Sequence, residues 1–274
     1  MQPSVIEFVE FLTQLYGSGV GYSGINTAKS AISSFVHVFH NDISLGTHSV
    51  VKRFMRGVFS SRPSLPRYNV TWDVSVVLTY LKTQSPVSKI SLIALSRKLA
   101  MLILLLSGHR CQSLQLLDLR NIRCSKHCLK VTFGDIIQHT RPGVHTAELK
   151  LPAYAPDRRL CVVTVFHEYL VRTKPLRNAQ ETSLFISTIK PHQAVTRDTL
   201  SNWIKAAMTL SGLDMTIFKP HSVRSAVTSA AKLPIATILK TASWSRECTF
   251  RKYYKKPIKQ TIGESILASV HTTE

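Results

Sequence analysis

The chain has 274 residues, of which 44% are hydrophobic, enough to bury the core of one large domain or of two smaller ones. Lys and Arg number 35 against 15 Asp and Glu, and a net charge of +20 predicts a polyanionic partner, nucleic acid first and an anionic membrane surface second. The most apolar run, residues 99–106, is far shorter than the roughly 20 residues that cross a bilayer, and the N-terminus lacks the order of a secretory signal.

The N-terminal part of the chain predicts three helices. Apolar residues recur every three or four positions along the first one, as expected when one helix face is buried. Asn26 or Thr27 is expected to cap the second helix, after a glycine-rich break. The predicted spans are 4–16, 25–39 and 47–59.

A segment with two prolines and no apolar periodicity, 60–73, indicates a linker before a larger region. That region is expected to be mostly helical, with two short strands on either side of a Pro-Gly turn. The sequence therefore predicts a mainly α protein with a small antiparallel β-sheet, organised as domains 1–66 and 72–274. The predicted helices are 73–84, 89–106 and 110 to about 119, the strands are 129–133 and 147–151, and helices resume at 160 with breaks at 172–183 and 187–196.

The five cysteines are scattered and odd in number, which is typical of a protein in a reducing compartment. Cys124, His127 and Cys128 are spaced like metal ligands, but no second pair of ligands follows at a suitable distance. We therefore expect no metal site and no cofactor.

Three places in the larger region contain residues suited to phosphate chemistry. Arg110 follows a Gly-His pair at which one helix is expected to end and another to begin. His221 and Arg224 are three residues apart, so on a helix they would share a face. Trp244 precedes Tyr254 by ten residues in a segment rich in lysine and arginine. Each signal is weak alone, but their order along the chain is not random.

The order Arg, β-hairpin, His-x-x-Arg, Trp, Tyr resembles the catalytic set of the tyrosine recombinases, or phage-integrase family. Longer segments resemble the recombinases of DIRS-type retrotransposons and related eukaryotic mobile elements, and they span nearly the whole chain. The segments are 18–36, "SGHRCQSLQLLDLRNI" (107–122), "TRPGVH" (140–145), 159–163, 184–205, "FKPHSVRSA" (218–226) and 236–258. The resemblance implies a helical core-binding domain at 1–66, with truncation at its N-terminus as one alternative, and a catalytic domain at 72–274.

The resemblance implies DNA strand cleavage and rejoining through a 3′-phosphotyrosyl bond, with neither metal nor ATP, because the covalent link keeps the energy of the phosphodiester. Arg110 and Arg224 would stabilise the charge that develops on the phosphate, since a guanidinium is always charged and can bind two oxygens. His221 would accept or donate a proton, and Trp244 would donate its indole N–H to a phosphate oxygen.

Two adjacent tyrosines, Tyr253 and Tyr254, compete for the role of nucleophile. Successive residues on a helix point about 100° apart, so one phenol at most can face the phosphate. The eukaryotic elements end in an aromatic packing residue followed by the nucleophile, which favours Tyr254. Other branches of the family space the nucleophile one residue closer to the Trp or His, which would select Tyr253.

The chain departs from the family pattern at the β-hairpin lysine, which normally protonates the departing 5′-oxygen. Gln138 stands at that position, and an amide cannot donate a proton at neutral pH. His139 is one substitute and Lys150 another, although neither has the expected spacing. Ser113 stands where many family members have a carboxylate, as small polar residues do in the related elements.

The expected partner is double-stranded DNA, on which four protomers would assemble, and the expected location is the nucleus. The expected role is the integration of a mobile element, with no membrane association. A catalytically impaired or dead DNA-binding protein that retains the recombinase fold is the alternative, because of Gln138. An RNA-binding module is a third hypothesis, but the sequence has no stacking platform or known RNA motif to support it.

Overall fold

A computed structural model describes residues 4–38, 43–63, 69–133, 148–242, 247, 250–251 and 254–256. The chain divides into two compact units, Met1–Arg67 and Tyr68–Glu274, each with its own hydrophobic core. Within the described ranges, no helix is both long and apolar enough to cross a lipid bilayer.

In its described ranges, 4–38 and 43–63, the first unit contains three α-helices and one short pair of antiparallel strands. The first helix begins with a capping box, in which Ser4 Oγ accepts from the backbone N–H of Glu7 and the Glu7 carboxylate accepts from that of Ser4. This helix buries Phe8 and Leu12, which confirms the predicted apolar face. The elements are α1 (Val5–Gly17), α2 (Tyr22–Ser33), β1 (His37–Val38), β2 (Ile43–Ser44) and α3 (Ser49–Ser61).

The prediction for the second helix is wrong at both ends. Helix α2 begins at Tyr22 after Gly21, which makes no side-chain capping bond, and Thr27 lies inside the helix with its hydroxyl on the carbonyl of Ser23. Asn26 is likewise inside the helix, where its carbonyl accepts from Ser30. Past Ser33 the chain forms strand β1, because pairing with β2 replaces the hydrogen bonds of another helical turn.

The second unit is built around helix α5 (Leu92–Ser107), which packs against α7 and α8 and is buried along nearly its whole length. A helix that is apolar on all sides belongs in a core, as its sequence requires. The other helices are α4 (Val74–Thr83), α6 (Cys111–Gln115), α7 (Val162–Thr173), α8 (Arg197–Leu210), α9 (Ser222–Ala230) and α10 (Ile235–Thr241). These spans confirm the predicted helical character of the region and the breaks within it.

A three-stranded antiparallel sheet covers one side of this core. Its strands are β3 (Ile122–Cys124), β4 (Cys128–Val131) and β5 (Leu149–Pro152), in the order β3-β4-β5. Strands β4 and β5 confirm the two predicted strands, and Leu129 pairs with Leu151 on the buried face. The intervening Pro-Gly turn lies outside the described residues. Strand β3 was not predicted, because three residues are too few to show a period.

The predicted helix from 110 to about 119 ends early, at Gln115. The backbone beyond it pairs with a distant segment, since the N–H of Leu119 donates to the carbonyl of Thr182 and that of Leu184 donates to Leu117. The Asp118 side chain then accepts from the N–H of Arg120 and starts a short 3-10 turn. Tertiary pairing therefore overrides the local helical pattern.

Lys98 is a fully buried cation in the middle of α5. Its ammonium group donates to the carbonyls of Leu81 (2.9 Å) and Gln84 (2.7 Å), which lie at the end of α4, and to Ser85 Oγ (3.3 Å). Burial lowers the pKa of Lys98 to about 8, and the negative charge of Asp157 opposes this. The ammonium group thus satisfies backbone carbonyls that the end of a helix leaves without partners.

We predict that Lys98→Met lowers the free energy of unfolding by about 2 to 4 kcal/mol, because methionine fills the space but leaves buried carbonyls unsatisfied. Urea unfolding followed by circular dichroism measures the change. Lys89→Met, at an exposed lysine, is the matched control and is expected to stay near wild type. Equal midpoints for the two variants would contradict the stabilising role of Lys98.

Candidate active site

A pocket of about 370 Å³ in the second unit brings together residues that are far apart in the sequence. Arg110, His221, Arg224 and Tyr254, four of the predicted site residues, all line it. Arg197, the first residue of α8, lines it as well and was not predicted. The residues that line the pocket therefore carry three guanidinium groups, two imidazoles, one carboxylate and a phenol.

Arg110 is positioned by the junction between α5 and α6. Gly108 ends α5 with a φ of 64°, a left-handed conformation that glycine adopts without strain, and Arg110 then occupies the N-cap position of α6. A Cβ at position 108 would lie 3.3 Å from the Cβ of Ala242 and 3.5 Å from Cγ2 of Thr228. The junction is therefore packed closely, and Arg110 stands on rigid backbone, as the sequence predicts.

Arg224 is buried on α9, with 4% of its surface exposed. Its Nη2 donates to the carbonyl of Ala242 at 2.7 Å, and its Cζ lies 5.9 Å from the centroid of the Tyr254 ring. Burial, together with the positive charge of Arg110, lowers the pKa of Arg224 to about 9, whereas Tyr254 acts in the opposite direction. Two guanidinium groups near one pocket repel each other, so an anion bound there would relieve the repulsion.

His221 is exposed and occupies the N-cap position of α9, one residue before the helix begins. The start of α9 is held by Trp72, whose Nε1 donates to Ser222 Oγ at 2.8 Å in a buried hydrogen bond. Trp72 was not predicted, because its partner lies far away in the sequence and nothing local indicates it. This bond fixes the helix end that presents His221 to the pocket.

Tyr254 lies in a turn, half-buried, rather than within a helix. The N–H groups of Tyr254 and Lys255 both donate to the carbonyl of Phe250, at 2.9 and 3.0 Å. Phe250 is itself buried, with 1% of its surface exposed, and so attaches the turn to the interior. The turn places the Tyr254 ring near Arg224.

Several predicted site residues lie outside the described residues: Trp244, Tyr253, Gln138 and His139. Of the two candidate nucleophiles, the structure therefore describes Tyr254 but not Tyr253. Lys150 lies exposed on β5 with its Nζ 3.6 Å from Glu148, so it points toward solvent and a carboxylate. In the part of the chain that the structure describes, no group of three or more His, Cys, Asp or Glu residues has the arrangement of a metal site.

His109 is buried, also lines the pocket, and was not predicted from the sequence as a site residue. Its Nε2 lies 3.2 Å from the carbonyl of Thr241, which can only accept, so Nε2 carries the proton. Its ring stacks on Phe133, with centroids 5.4 Å apart. Burial and the charge of Arg224 lower the pKa of His109 to about 4, although the bond to Thr241 opposes this. A neutral ring here avoids a further positive charge beside the arginines.

Solved structures of known recombinases have a similar fold. The XerH site-specific recombinase bound to palindromic difH substrate matches with a TM-score of 0.60 at 13% identity, over 99% of this chain and 72% of that chain. The Tn1549 transposon integrase in complex with transposon right end DNA matches with a TM-score of 0.62 at 15% identity, over 98% and 85%. A lambda integrase dimer bound to a COC′ core site matches with a TM-score of 0.51 at 15% identity, over 95% and 68%.

Comparisons with protein-family profiles and with curated proteins find no match. The likeness to the solved structures, at 13% to 15% identity, is one of fold. The mainly helical architecture with a small antiparallel sheet is confirmed, and it is the fold of tyrosine recombinases.

We predict that His109 makes the protein sensitive to acid. Between the ordinary pKa of 6.5 and the folded-state value of about 4, the unfolded chain binds a proton that the folded protein excludes. The free energy of unfolding therefore falls as the pH is lowered through this window, by roughly 3 kcal/mol at about 1.4 kcal/mol for each pH unit.

His109→Gln keeps a neutral N–H donor for Thr241 but cannot titrate. Urea unfolding of both proteins at several pH values between 7 and 4 measures the difference. The variant is expected to lose less stability than wild type over this range. Parallel curves for the two proteins would show that another group causes the acid sensitivity.

Proposed function

We propose that this chain is a tyrosine recombinase that cleaves and rejoins DNA strands, with Tyr254 as the nucleophile. The observation that supports this best is the meeting of Arg110, His221, Arg224 and Tyr254 at one pocket. These residues span most of the second unit in sequence, so local structure alone does not bring them together. The proposed catalytic domain is 72–274.

The proposed reaction uses the chain's own side chains for each task. The Tyr254 oxygen attacks a backbone phosphorus and forms a 3′-phosphotyrosyl bond, while the bond to the 5′-oxygen breaks and that oxygen leaves with a proton. Arg110 and Arg224 stabilise the charge on the non-bridging oxygens, and Trp244 donates a further hydrogen bond. His221 moves the proton of the phenol, and a 5′-hydroxyl from a second strand reverses the step.

Both units contribute to the proposed binding of double-stranded DNA. In the first unit, the proposed core-binding domain 1–66, helix α3 buries Val51 and Met55 and exposes Lys52, Arg53 and Arg56. Basic residues on one exposed helix face suit a phosphate backbone, and the net charge of +20 agrees with this. Structures of similar fold include recombinases on DNA, among them a lambda integrase tetramer bound to a Holliday junction, which supports assembly as a tetramer.

The finer assignment rests on the sequence resemblance. We infer a relationship to DIRS-type and related eukaryotic mobile elements, a role in integrating such an element, and a nuclear location. The proposed reaction needs neither metal nor ATP, since arginines supply the positive charge and the phosphotyrosyl bond keeps the energy of the phosphodiester. The sequence departure at Gln138 motivates one alternative, a DNA-binding protein that retains the fold without turnover.

We predict that the wild-type protein forms a covalent adduct with nicked duplex DNA in the presence of EDTA, and that Tyr254→Phe does not. A pool of nicked duplexes of randomised sequence serves as substrate, because loss of the short 5′-hydroxyl strand traps the intermediate. Denaturing gel electrophoresis detects the adduct. Arg110→Ala is expected to slow its formation roughly 100- to 1,000-fold, as for the loss of one charge-stabilising donor.

Tyr253→Phe is the matched control for the nucleophile, since it removes the adjacent phenol and keeps Tyr254. If Tyr253→Phe abolishes the adduct and Tyr254→Phe does not, the nucleophile is Tyr253. If wild type binds duplex DNA but forms no adduct at any sequence, the protein is the catalytically dead alternative.

We also predict that Gln138→Lys accelerates adduct formation by roughly 100-fold, the ordinary contribution of a positioned general acid. Single-turnover rates on one selected duplex measure the gain. His139→Gln tests the substitute donor in the same assay and is expected to slow the wild type further. A Gln138→Lys rate equal to wild type would show that residue 138 does not stand at the hairpin-lysine position.

A further inference from the structure

Two serines of α9 hold the backbone of Tyr254. Ser225 Oγ donates to the carbonyl of Tyr254 at 3.0 Å and Ser229 Oγ donates to the same oxygen at 2.8 Å. Ser229 Oγ also accepts from the N–H of Lys256 at 3.0 Å. The two hydroxyls, called here the serine pair, therefore contact the backbone on both sides of Lys255.

The serine pair differs from hydroxyls of the described helices that donate within their own helix. A serine or threonine within a helix commonly donates to the carbonyl four residues earlier. Thr228 does so with Arg224 at 2.7 Å, and Thr209 does so with Lys205 at 2.9 Å. Ser225 and Ser229 instead bond to a segment 25 to 29 residues later in the chain. Their hydroxyls attach one element to another rather than serving their own helix.

The helix with the serine pair also carries two of the proposed catalytic groups, His221 at its N-cap position and Arg224 within it. His221, Ser225 and Ser229 are spaced four residues apart, and this spacing puts side chains on one helix face. Arg224 lies beside them, with its Cζ 5.9 Å from the centroid of the Tyr254 ring. A displacement of Tyr254 relative to α9 would therefore change its distance from both His221 and Arg224.

We propose that Ser225 and Ser229 are positioning residues that fix the Tyr254 phenol against the cation of Arg224. The role rests on the proposed function, because it concerns the geometry of the same nucleophile. The serines do not touch the DNA phosphate in this proposal; they act through the Tyr254 carbonyl. Misplacement of a reacting group by about 1 Å costs on the order of 100-fold in rate, so the contribution is measurable.

The test compares Ser225→Ala, Ser229→Ala and the double variant with wild type. The double variant is expected to form the covalent adduct roughly 10- to 100-fold more slowly in single-turnover assays. Its affinity for duplex DNA, measured by fluorescence anisotropy, is expected to stay within about twofold of wild type, because the phosphate-binding arginines remain. Ser229→Thr, which keeps the hydroxyl, is expected to recover most of the rate. Thr209→Ala, which removes a hydroxyl that bonds within α8, is the matched control and should cleave normally.

Hydrogen exchange of the backbone provides a readout that does not depend on activity. The Lys256 amide is expected to exchange faster in Ser229→Ala than in Ser225→Ala, because Ser229 accepts its hydrogen bond. Normal cleavage by the double variant would overturn the positioning role. If wild type forms no adduct, the proposed function fails. If the Lys256 amide exchanges at the same rate in Ser229→Ala and in wild type, the serine pair does not hold this backbone, whatever the activity of the protein.

Discussion

Arg224 and Arg110 bring two positive charges to the edge of one pocket. The repulsion between these two guanidinium groups is the constraint on which the arrangement of the other pocket residues depends. Arg224 is buried and bonded to the carbonyl of Ala242, so it cannot move out into solvent to lower the repulsion. His109 lies beside the pair and stays neutral, since its pKa is lowered to about 4. A bound anion would compensate both the repulsion and the burial, so the positive charges of the pocket favour an anion.

Helix α9 is the common frame for these groups. Trp72 bonds to its first residue, the carbonyl of Ala242 bonds to Arg224 in its middle, and the Tyr254 carbonyl bonds to Ser225 and Ser229 along its length. Segments from the start and the end of the second unit therefore meet on nine residues. Because each segment is hydrogen-bonded to the same helix, these bonds limit how far the segments can shift relative to one another.

Much of the fold could be predicted from the sequence, because apolar spacing marks α1, α5 and the strands β4 and β5. The failures occur where a distant partner decides the local structure. Helix α6 stops at Gln115 since the next residues pair with 182–184, and α2 stops at Ser33, before β1 pairs with β2. The start of α2, at Tyr22, lacks the predicted side-chain cap. The candidate site residues could be predicted from their order along the chain, and four of them line one pocket. Trp72, His109 and the serine pair were missed, because their partners lie up to 150 residues away and leave no local pattern.

Gly108 affects the position of Arg224 indirectly, through Ala242. It lies against Ala242, the residue whose carbonyl holds Arg224, and a methyl group at position 108 would meet the Ala242 side chain at 3.3 Å. The arrangement of charge in the pocket thus depends on a residue that has no side chain. An alanine at position 108 would strain the left-handed turn and press on Ala242, and so disturb the contact that holds Arg224 while every residue of the pocket stays the same in the sequence.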